Sequence, residues 1–132
     1  MSKQRHISRL ASPRSWQVAR KATKWIAKPM PGPRTKAEGI PLVVLLRDVV
    51  GMIENQRELK YLINTKQILV NGKLYRETRF PVGLFDVISF PTVKKHYRVV
   101  LTTLGKLQAT EISDKEANTL LLQVNEKKSI KG

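Results

Sequence analysis

The dipeptide Asn71-Gly72 is the feature that most limits how this chain can fold. It separates two short runs with strand character, residues 68–70 (ILV) and residues 73–76 (KLYR). Asn and Gly both tolerate positive φ, which a two-residue type I′ turn requires at its two central positions. The sequence therefore predicts a β-hairpin with Asn71 and Gly72 at its tip, and such a hairpin sets the register of two strands.

A nearly continuous apolar run, residues 40–53, precedes the hairpin and is broken only by Arg47 and Asp48. Such a run is compatible with a buried strand or a buried helix, and its valines argue for the strand. The spacing of Leu42, Leu45, Leu46 and Val49 favours the helix. Gly51 is a suitable residue to end that helix.

Residues 55–67 show a clearer helical pattern. Asn55 is a good N-cap, and Glu58 three residues later is close to the partner in a capping box. The apolar face of this helix consists of Leu59, Leu62 and Ile63. The opposite face carries Arg57, Lys60, Tyr61 and Asn64, which follow the spacing i, i+3, i+4, i+7. Two cations, a phenol and an amide suit contact with a nucleic-acid backbone, and an ordinary solvated helix face explains the pattern equally well.

Further elements follow the hairpin. Pro81-Val82-Gly83 predicts a bend, and residues 86–90 and 97–103 predict strands, the second after a basic turn at residues 94–96. Ser113 and Glu116 have the spacing of a capping box for a short helix. The order of elements predicts an α+β fold in which two short helices are combined with a small antiparallel sheet.

Strong positive charge indicates what the chain binds rather than how it folds. The chain has 25 Lys and Arg residues against 10 Asp and Glu, a formal net charge of +15. Residues 1–40 carry a net +9, residues 41–104 a net +5 and residues 105–132 a net +1. The partners that such a charge favours are polyanions, namely RNA, DNA or an anionic membrane surface.

The composition also excludes several kinds of site. Because the chain has no cysteine, it has no disulfide, no thiolate metal site and no Cys nucleophile. His6 and His96 are far apart in sequence, so we expect no metal site. No apolar run approaches the length of about 18 residues that spans a membrane. No apolar segment follows the basic N-terminus, so we expect no secretory signal.

The first forty residues combine their charge with Trp16, Trp25 and a proline-rich run at residues 28–34 (KPMPGPR). A segment with so much charge and few core-forming residues should not fold alone, so we expect it to order against a polyanion. Its Lys and Arg side chains then bind phosphates, and its two Trp rings either stack on bases or cover the core. The alternative is a solvated arm with one Trp packed against the body of the protein.

One short helix is predicted within this arm. Ser12 fits the N-cap and Pro13 the first helical position. Such a helix aligns Trp16, Arg20 and Lys24 along one face.

The two helices and the hairpin resemble the S-four RNA-binding module, also called the α-L motif. The positions that carry the resemblance are Arg57, Glu58, Leu59, Leu62, Ile63, Ile68, Val70, Asn71, Gly72, Lys73, Asp86, Val87 and Ile88. The resemblance implies an L-shaped surface, formed by two short helices and the hairpin, that grips RNA. The sequence departs from the family at Thr65-Lys66-Gln67, where a glycine is usual, and at residues 81–86, which lengthen the usual Pro-Gly-Asp.

The arm narrows the resemblance to the archaeal and eukaryotic small-subunit ribosomal protein family S-four-e. The shared features are Pro13, Trp16, Arg20-Lys21, Trp25, the PMPGP run, Ile40-Pro41-Leu42, Phe80-Pro81 and Asp86-Val87-Ile88. The resemblance covers essentially the whole chain. It implies a basic RNA-binding arm (residues 1–40), an S-four-type domain (residues 41–104) and the beginning of a β-rich central domain (residues 105–132). We expect the rest of that domain to be missing from this sequence, the alternative being a naturally short paralogue.

The resemblance implies a structural constituent of the small ribosomal subunit, located on the cytoplasmic ribosome. Its partners would be ribosomal RNA and neighbouring small-subunit proteins. In the arm, the expected RNA-binding residues are Arg5, Arg9, Arg14, Trp16, Arg20, Lys21, Lys24, Trp25, Lys28, Arg34 and Lys36. In the module they are Arg47, Asp48, Asn55, Arg57, Lys60, Tyr61, Asn64, Lys66, Gln67, Asn71, Gly72, Lys73 and Arg76. We expect no catalytic residue, no cofactor, no metal, no membrane contact and no small-molecule substrate.

Other functions fit less well. A small S-four-module factor that rescues ribosomes shares the charge and the size, but the proline-rich arm argues against it. An enzyme needs a catalytic domain for which the chain has no room. Asp48 and Asp86 are the only carboxylates placed for catalysis, and we expect one to pair with a basic neighbour and the other to begin a strand. A membrane-surface role lacks a helix with a broad apolar face and a basic flank.

Overall fold

The computed structural model describes residues 4–131 and confirms the α+β class. Its strands are β1 (His6–Ser8), β2 (Trp25–Ala27), β3 (Gly39–Pro41), β4 (Leu69–Val70), β5 (Pro81–Gly83), β6 (Val87–Phe90), β7 (Lys95–Leu101) and β8 (Leu107–Ile112). Its helical segments are a 3₁₀-helix (Arg9–Ala11), α1 (Leu42–Val44) continuing as a π-helix (Leu45–Val50), α2 (Gln56–Asn64) and α3 (Asp114–Ala117). All pairings are antiparallel: β1 with β2, β3 with β5, and a sheet in the order β4-β6-β7-β8.

One apolar core joins the arm, the helices and the four-stranded sheet. The helices bury Leu42, Val43, Val44, Leu45, Leu46, Leu59 and Ile63, the sheet buries Val70, Ile88, Phe90, Val99 and Leu107, and the arm buries Trp16 and Ile26. Removing apolar area from water stabilises a fold by about 25 cal/mol per Å². The arm therefore contributes to the stability of the same core as the rest of the chain.

The apolar run at residues 40–53 contains the predicted helix. After β3, helical backbone extends from Leu42 to Val50, first as α1 and then with the wider turns of the π-helix. Gly51 ends the helix in a left-handed conformation with φ of 75°, as its position predicts. The Met52 amide donates to the Leu46 carbonyl at 2.9 Å and closes the last turn.

Helix α2 confirms the second predicted helix and its cap. The Asn55 side chain accepts hydrogen bonds from the amides of Arg57 and Glu58, at 3.0 and 3.1 Å. The Glu58 carboxylate accepts from the amide of Glu54 at 2.7 Å rather than from that of Asn55, so the capping box is shifted by one residue. Leu59 and Ile63 are buried and Leu62 is half-buried, as the apolar pattern predicts.

The turn at Asn71 and Gly72 is confirmed, but the hairpin around it is not. Both residues have positive φ, 50° and 74°, and Val70 and Lys73 exchange two backbone hydrogen bonds. The strand predicted for residues 73–76 does not form: Lys73 makes a single bridge to Val70, and the strand that pairs with β4 is β6. Tyr75 leaves the turn to stack on Phe80, with ring centroids 3.8 Å apart.

The bend predicted at Pro81–Gly83 is wrong, since these residues form strand β5. Their partner is β3, and Val82 lies opposite Ile40 with both side chains fully buried. Pro41 and Pro81 face each other at the end of this ladder, where neither has an amide to donate. The pairing partner lies about forty residues away in sequence, so local turn signals alone suggested a bend.

The helix predicted to start at Ser12 is also absent. The Ser12 hydroxyl donates to the Arg9 carbonyl at 2.7 Å and closes the 3₁₀-helix, and the chain from there to β2 contains turns. Trp16 lies in the core and not on the face of a helix. It is 2% exposed, and its indole Nε1 donates to the Gly39 carbonyl at 3.1 Å.

The arm packs against the body of the protein, contrary to the expectation that it orders only on a polyanion. Strands β1 and β2 pair over three residues, and Leu107 donates its amide to the Ser15 carbonyl at 2.6 Å. The expectation was based on the charge of the arm. It did not consider that the apolar side chains of Trp16 and Ile26 form part of the core. Of the two outcomes left open for the Trp16 ring, covering the core is the one observed.

The last part of the chain extends the main sheet. The strand predicted at residues 97–103 exists as β7, which starts at Lys95, so the turn before it consists of residues 91–94. Strand β8 was not predicted. It pairs with β7 along its full length, so the sheet continues across the predicted boundary between residues 104 and 105. Helix α3 has the predicted capping box between Ser113 and Glu116.

Candidate nucleic-acid interface

A groove of about 490 Å³ lies where the β1–β2 pair meets the helices. It is lined by Arg5, His6, Trp25, Ile26 and Ala27 from the arm, by Val43, Arg47, Gln56 and Lys60 from the helices, and by residues 76–79. Five of these residues are Lys or Arg, and Glu77 is the one acidic residue among them. Cations from the arm and from the helical region therefore share one concave surface.

Each wall of the groove is held by an identifiable local interaction. The arm wall depends on the β1–β2 ladder, in which Ser8 lies opposite Trp25. The helix wall begins at the Asn55 cap, which places Gln56 and Lys60 one turn apart. The third wall is tied to the second, because the Gln56 Nε2 donates to the buried hydroxyl of Thr78 at 2.7 Å.

Arg47, which lines the groove, forms an ion pair with the neighbouring Asp48. Its Nε and Nη2 donate to the two carboxylate oxygens of Asp48 at 3.1 and 2.8 Å, a bidentate contact. The hydrogen bond to Asp48 is the main reason that the pKa of Arg47 is raised above its usual value, although burial acts against it. Arg47 is therefore charged at every physiological pH, and Asp48 offsets part of that charge.

Two shallower hollows extend the groove. Asn55, Gln56, Arg57 and Lys60 line one of about 540 Å³. The other, of about 430 Å³, is lined by Arg9, Ala19, Ala22, Thr23, Trp25, Arg47 and Asp48. Both share residues with the central groove, so the three form one tract, which we call the basic tract.

Trp25 lies at the junction of the groove and the second hollow. Its side chain is 52% exposed, although it is among the largest apolar side chains in the protein. The Lys24 ammonium lies 5.2 Å from the centroid of the indole ring, in a cation–π contact. The basic tract therefore contains one accessible aromatic ring next to several cations.

Three arginines predicted to bind RNA also form hydrogen bonds within the folded chain. Arg9 Nη1 donates to the Ala19 carbonyl at 3.0 Å, and Arg20 donates to the carbonyls of Leu10 and Ser12 at 3.0 and 2.9 Å. Arg34 donates to the Asp86 carboxylate at 3.1 Å and to a backbone carbonyl at 3.3 Å. These guanidinium groups therefore satisfy backbone carbonyls and one carboxylate of the folded chain.

The other predicted site residues are divided between the basic tract and the remaining surface. Those that line the tract are Arg5, Arg9, Trp25, Arg47, Asp48, Asn55, Arg57, Lys60 and Arg76. Exposed residues that do not line it are Arg14, Lys21, Lys24, Lys36, Tyr61, Asn64, Lys66, Gly72 and Lys73, and partly covered ones are Arg20, Lys28, Arg34, Gln67 and Asn71. Trp16 is buried and cannot stack on a base in this structure.

Sequence reasoning missed several polar residues of the groove, among them His6, Gln56, Thr78 and Arg79. Arg79 follows Arg76 by three residues, and that basic spacing was the available signal. Nothing in the sequence marked Gln56 or Thr78, because their contact spans the α2 cap and the loop before β5.

Other kinds of site find little support in the described residues. Over residues 4–131 no three His, Cys, Asp or Glu side chains come together as a metal site. No helix in that range is long and apolar enough to cross a membrane. Asp48 is paired with Arg47, and Asp86 immediately precedes β6, as expected from the sequence.

The fold and the basic tract define a small, strongly basic α+β protein with a concave cationic surface. Residues 1–36 match the family model of the RS4NT (NUC023) domain. The small ribosomal subunit protein eS4 of Nanoarchaeum equitans is 44% identical over 129 residues, which are 97% of this chain and 55% of the relative. The eS4 protein of Methanocella arvoryzae is 39% identical over 96% of this chain and 53% of its own length.

The chain is also similar to a solved structure. The 30S ribosomal protein S4e of Thermoplasma acidophilum superposes with a TM-score of 0.50 at 29% identity, over 61% of this chain and 41% of that one. The chain is thus similar to eS4 proteins of the small ribosomal subunit over nearly all of its length, and its first 36 residues match a family model. It spans about half the length of the curated relatives that it matches.

Proposed function

We propose that this protein is a structural constituent of the small ribosomal subunit that binds ribosomal RNA through the basic tract. Its place is the cytoplasmic ribosome, where it contacts ribosomal RNA and neighbouring small-subunit proteins and supports translation. The names of its relatives support this role, and so does the net charge of +15. The observation that carries the proposal is the groove that gathers cations of the arm and of the helices on one surface.

The helices from Leu42 to Val50 and α2, with the turn at Asn71 and Gly72, serve as the S-four-type module in this proposal. The three-part division is kept as a division of RNA contacts: an arm (residues 1–40), the module (residues 41–104) and the beginning of a further region (residues 105–132). We do not propose it as a division into separate folding units, since the core includes residues of all three parts and the main sheet joins the second part to the third.

The cations of the tract suit the ribose-phosphate backbone. Arg and Lys donate charge-assisted hydrogen bonds to phosphate oxygens, and each neutralised phosphate releases condensed counterions. The exposed cations outside the tract, such as Arg14, Lys36 and Lys73, serve as additional backbone contacts in this proposal. Binding of this kind reads the shape of folded RNA rather than its sequence.

The competing functions have weaker support. The eS4 relatives are named as constituents of the small subunit, so an enzyme or a ribosome-rescue factor finds no support among them. An anionic membrane surface fits the charge, but the basic tract is concave, whereas a membrane surface is flat on this scale.

The proposal is tested by measuring how binding of the full chain depends on salt. The probes are purified small-subunit ribosomal RNA, transfer RNA and duplex DNA. The variant is the double substitution Lys60→Ala with Arg76→Ala, which removes two exposed cations of the groove. The control removes the same charge outside the tract, through Lys115→Ala with Lys127→Ala. Deleting the arm is unsuitable, because it removes Trp16 and Ile26 from the core.

We expect the chain to prefer small-subunit ribosomal RNA over both other probes. The groove variant should flatten the slope of log K against log salt by about 0.7 to 0.9 for each phosphate that the protein no longer neutralises. The control should change the slope much less. If all three polyanions bind equally and both variants act alike, the charge provides only general affinity for nucleic acids and the proposal is wrong.

A further inference from the structure

Building on the proposed function, we infer that the groove takes an unpaired nucleotide, whose base stacks on Trp25 while its flanking phosphates contact the surrounding cations. The ligand class is thus single-stranded or looped RNA rather than a continuous duplex. Four features of the groove lead to this inference: an exposed indole, its rigid support, the position of the cations and the size of the site.

The exposed indole is the first feature. The protein has two Trp residues, of which Trp16 is 2% exposed and Trp25 is 52% exposed. Leaving half of so large an apolar ring in water forgoes burial energy, unless a ligand covers the ring when it binds. Bases stack favourably on aromatic rings, and this contact tolerates any base because each has a π-face.

The backbone that carries the ring is held in place. Trp25 begins β2 and lies opposite Ser8, and the Arg9 amide donates to the Lys24 carbonyl at 2.9 Å. The Thr23 hydroxyl donates to the Trp25 carbonyl at 3.3 Å, and the Lys24 ammonium lies over the ring. A platform that is ordered before binding loses little conformational entropy when a base stacks on it.

The cations surround the ring on several elements. Arg5 lies one residue before β1, Lys60 lies on α2, and Arg76 and Arg79 belong to the loop before β5. Phosphates on both sides of a stacked base therefore find donors. Gln56, held by Thr78, adds an amide that is able to hydrogen-bond the edge of an unpaired base.

The size of the groove favours one displaced nucleotide. A volume of about 490 Å³ lies within the range of about 300 to 1,000 Å³ typical of pockets that enclose small ligands. In a duplex each base has both faces covered by its neighbours, so its ring cannot stack on a protein side chain. An unpaired base in a loop or a bulge is free to do so.

The test uses the full chain and two probes, a short single-stranded RNA of mixed sequence and the same strand annealed to its complement. Three variants are compared: Trp25→Leu removes the ring, Trp25→Phe keeps an aromatic face, and Phe85→Leu removes an exposed aromatic ring outside the basic tract. Affinity is measured at several salt concentrations. Tryptophan fluorescence of the unaltered chain and of Trp25→Phe is recorded during titration, because buried Trp16 provides the background signal.

We expect Trp25→Leu to weaken binding of the single strand by about tenfold to a hundredfold without changing the salt slope, since every cation that binds phosphate is retained. Trp25→Phe should recover most of the affinity, and Phe85→Leu should bind like the unaltered chain. The single strand should quench the fluorescence of the unaltered chain but leave that of Trp25→Phe nearly constant. The duplex should bind more weakly and quench little.

The inference is overturned if the unaltered chain shows no quenching by the single strand, a result that does not depend on how any variant folds. It is equally overturned if Trp25→Leu and Phe85→Leu weaken binding to the same extent. In either case a retained preference for small-subunit ribosomal RNA leaves the proposed function intact. Loss of that preference with quenching at Trp25 contradicts the proposed function alone.

Discussion

Arg34 and Asp86, which are 52 residues apart in sequence, form an ion pair with 3.1 Å between the guanidinium and the carboxylate. Asp86 also accepts hydrogen bonds from the Asn71 side chain at 3.0 Å and from the Gly83 amide at 2.7 Å. One buried carboxylate therefore connects the arm, the turn after β4 and strand β5. Together with the buried side chains of Trp16 and Ile26, this contact links the arm to the body of the protein.

Arg34→Ala should destabilise the protein by roughly 1 kcal/mol, because it leaves the buried Asp86 carboxylate with fewer donors. We expect only a small loss of stability because the Arg34 side chain is 38% exposed and water screens the ion pair. Urea unfolding of the full chain measures the change in the free energy of unfolding. Arg14→Ala is the matched control, since Arg14 is an exposed arginine of the same arm. Equal stability of the two variants contradicts this role for Arg34.

Trp16→Ala should cost about 3 to 5 kcal/mol of stability, because it leaves a large cavity in the core. It also removes the hydrogen bond from the indole to the Gly39 carbonyl. Trp25→Ala should change stability by less than about 1 kcal/mol, since half of that side chain is already in water. Thermal and urea unfolding of both variants provide the measurement. Similar losses for the two substitutions disagree with the structure.

Gly72→Ala should destabilise the turn by about 1 to 2 kcal/mol, the cost of placing a side chain in the left-handed region. Gly72 has φ of 74°, and a Cβ there meets no atom within 4 Å, so the loss comes from the backbone alone. Gly72→Asn should lose less, because Asn tolerates this conformation. Unfolding measurements on both variants separate the two cases, and an unchanged stability of Gly72→Ala argues against the type I′ turn.

Asp48→Asn should strengthen binding of single-stranded RNA at low salt. The substitution removes the carboxylate that accepts both hydrogen bonds from Arg47 and frees a guanidinium in the groove for phosphate. We expect the salt slope to steepen by about 0.7, the contribution of one added contact. Glu111→Gln, an exposed residue of β8, makes the same change in net charge as a control. An equal effect of the two variants shows that only the total charge matters.

The parts of the fold that local interactions decide were predictable from the sequence. The cap at Asn55, the end of the helix at Gly51, the turn at Asn71 and Gly72, and the capping box of α3 depend on residues within a few positions of one another. Short-range hydrogen bonds and allowed φ angles are fixed by residue type, so a single sequence is enough to read them.

The candidate site was predicted only in outline. The charge pointed to a polyanion, and nine of the predicted residues line the basic tract. Net charge does not show which Lys and Arg side chains form hydrogen bonds within the protein. Their backbone acceptors come close to them only when the chain folds. The sequence therefore did not show that Arg9, Arg20 and Arg34 form hydrogen bonds within the chain, and it did not point to Gln56 or Arg79 as part of the groove.

Residue types and their local spacing thus established the charge, the two helices and the turn, and they predicted the kind of partner. Tertiary structure decided that Pro81–Gly83 is a strand, that Trp16 is buried while Trp25 is exposed, and that arm and helices share one groove. The reason is the separation along the sequence between the residues that interact. Strand pairing, burial and the closing of a groove depend on residues tens of positions apart, whose proximity no local pattern encodes.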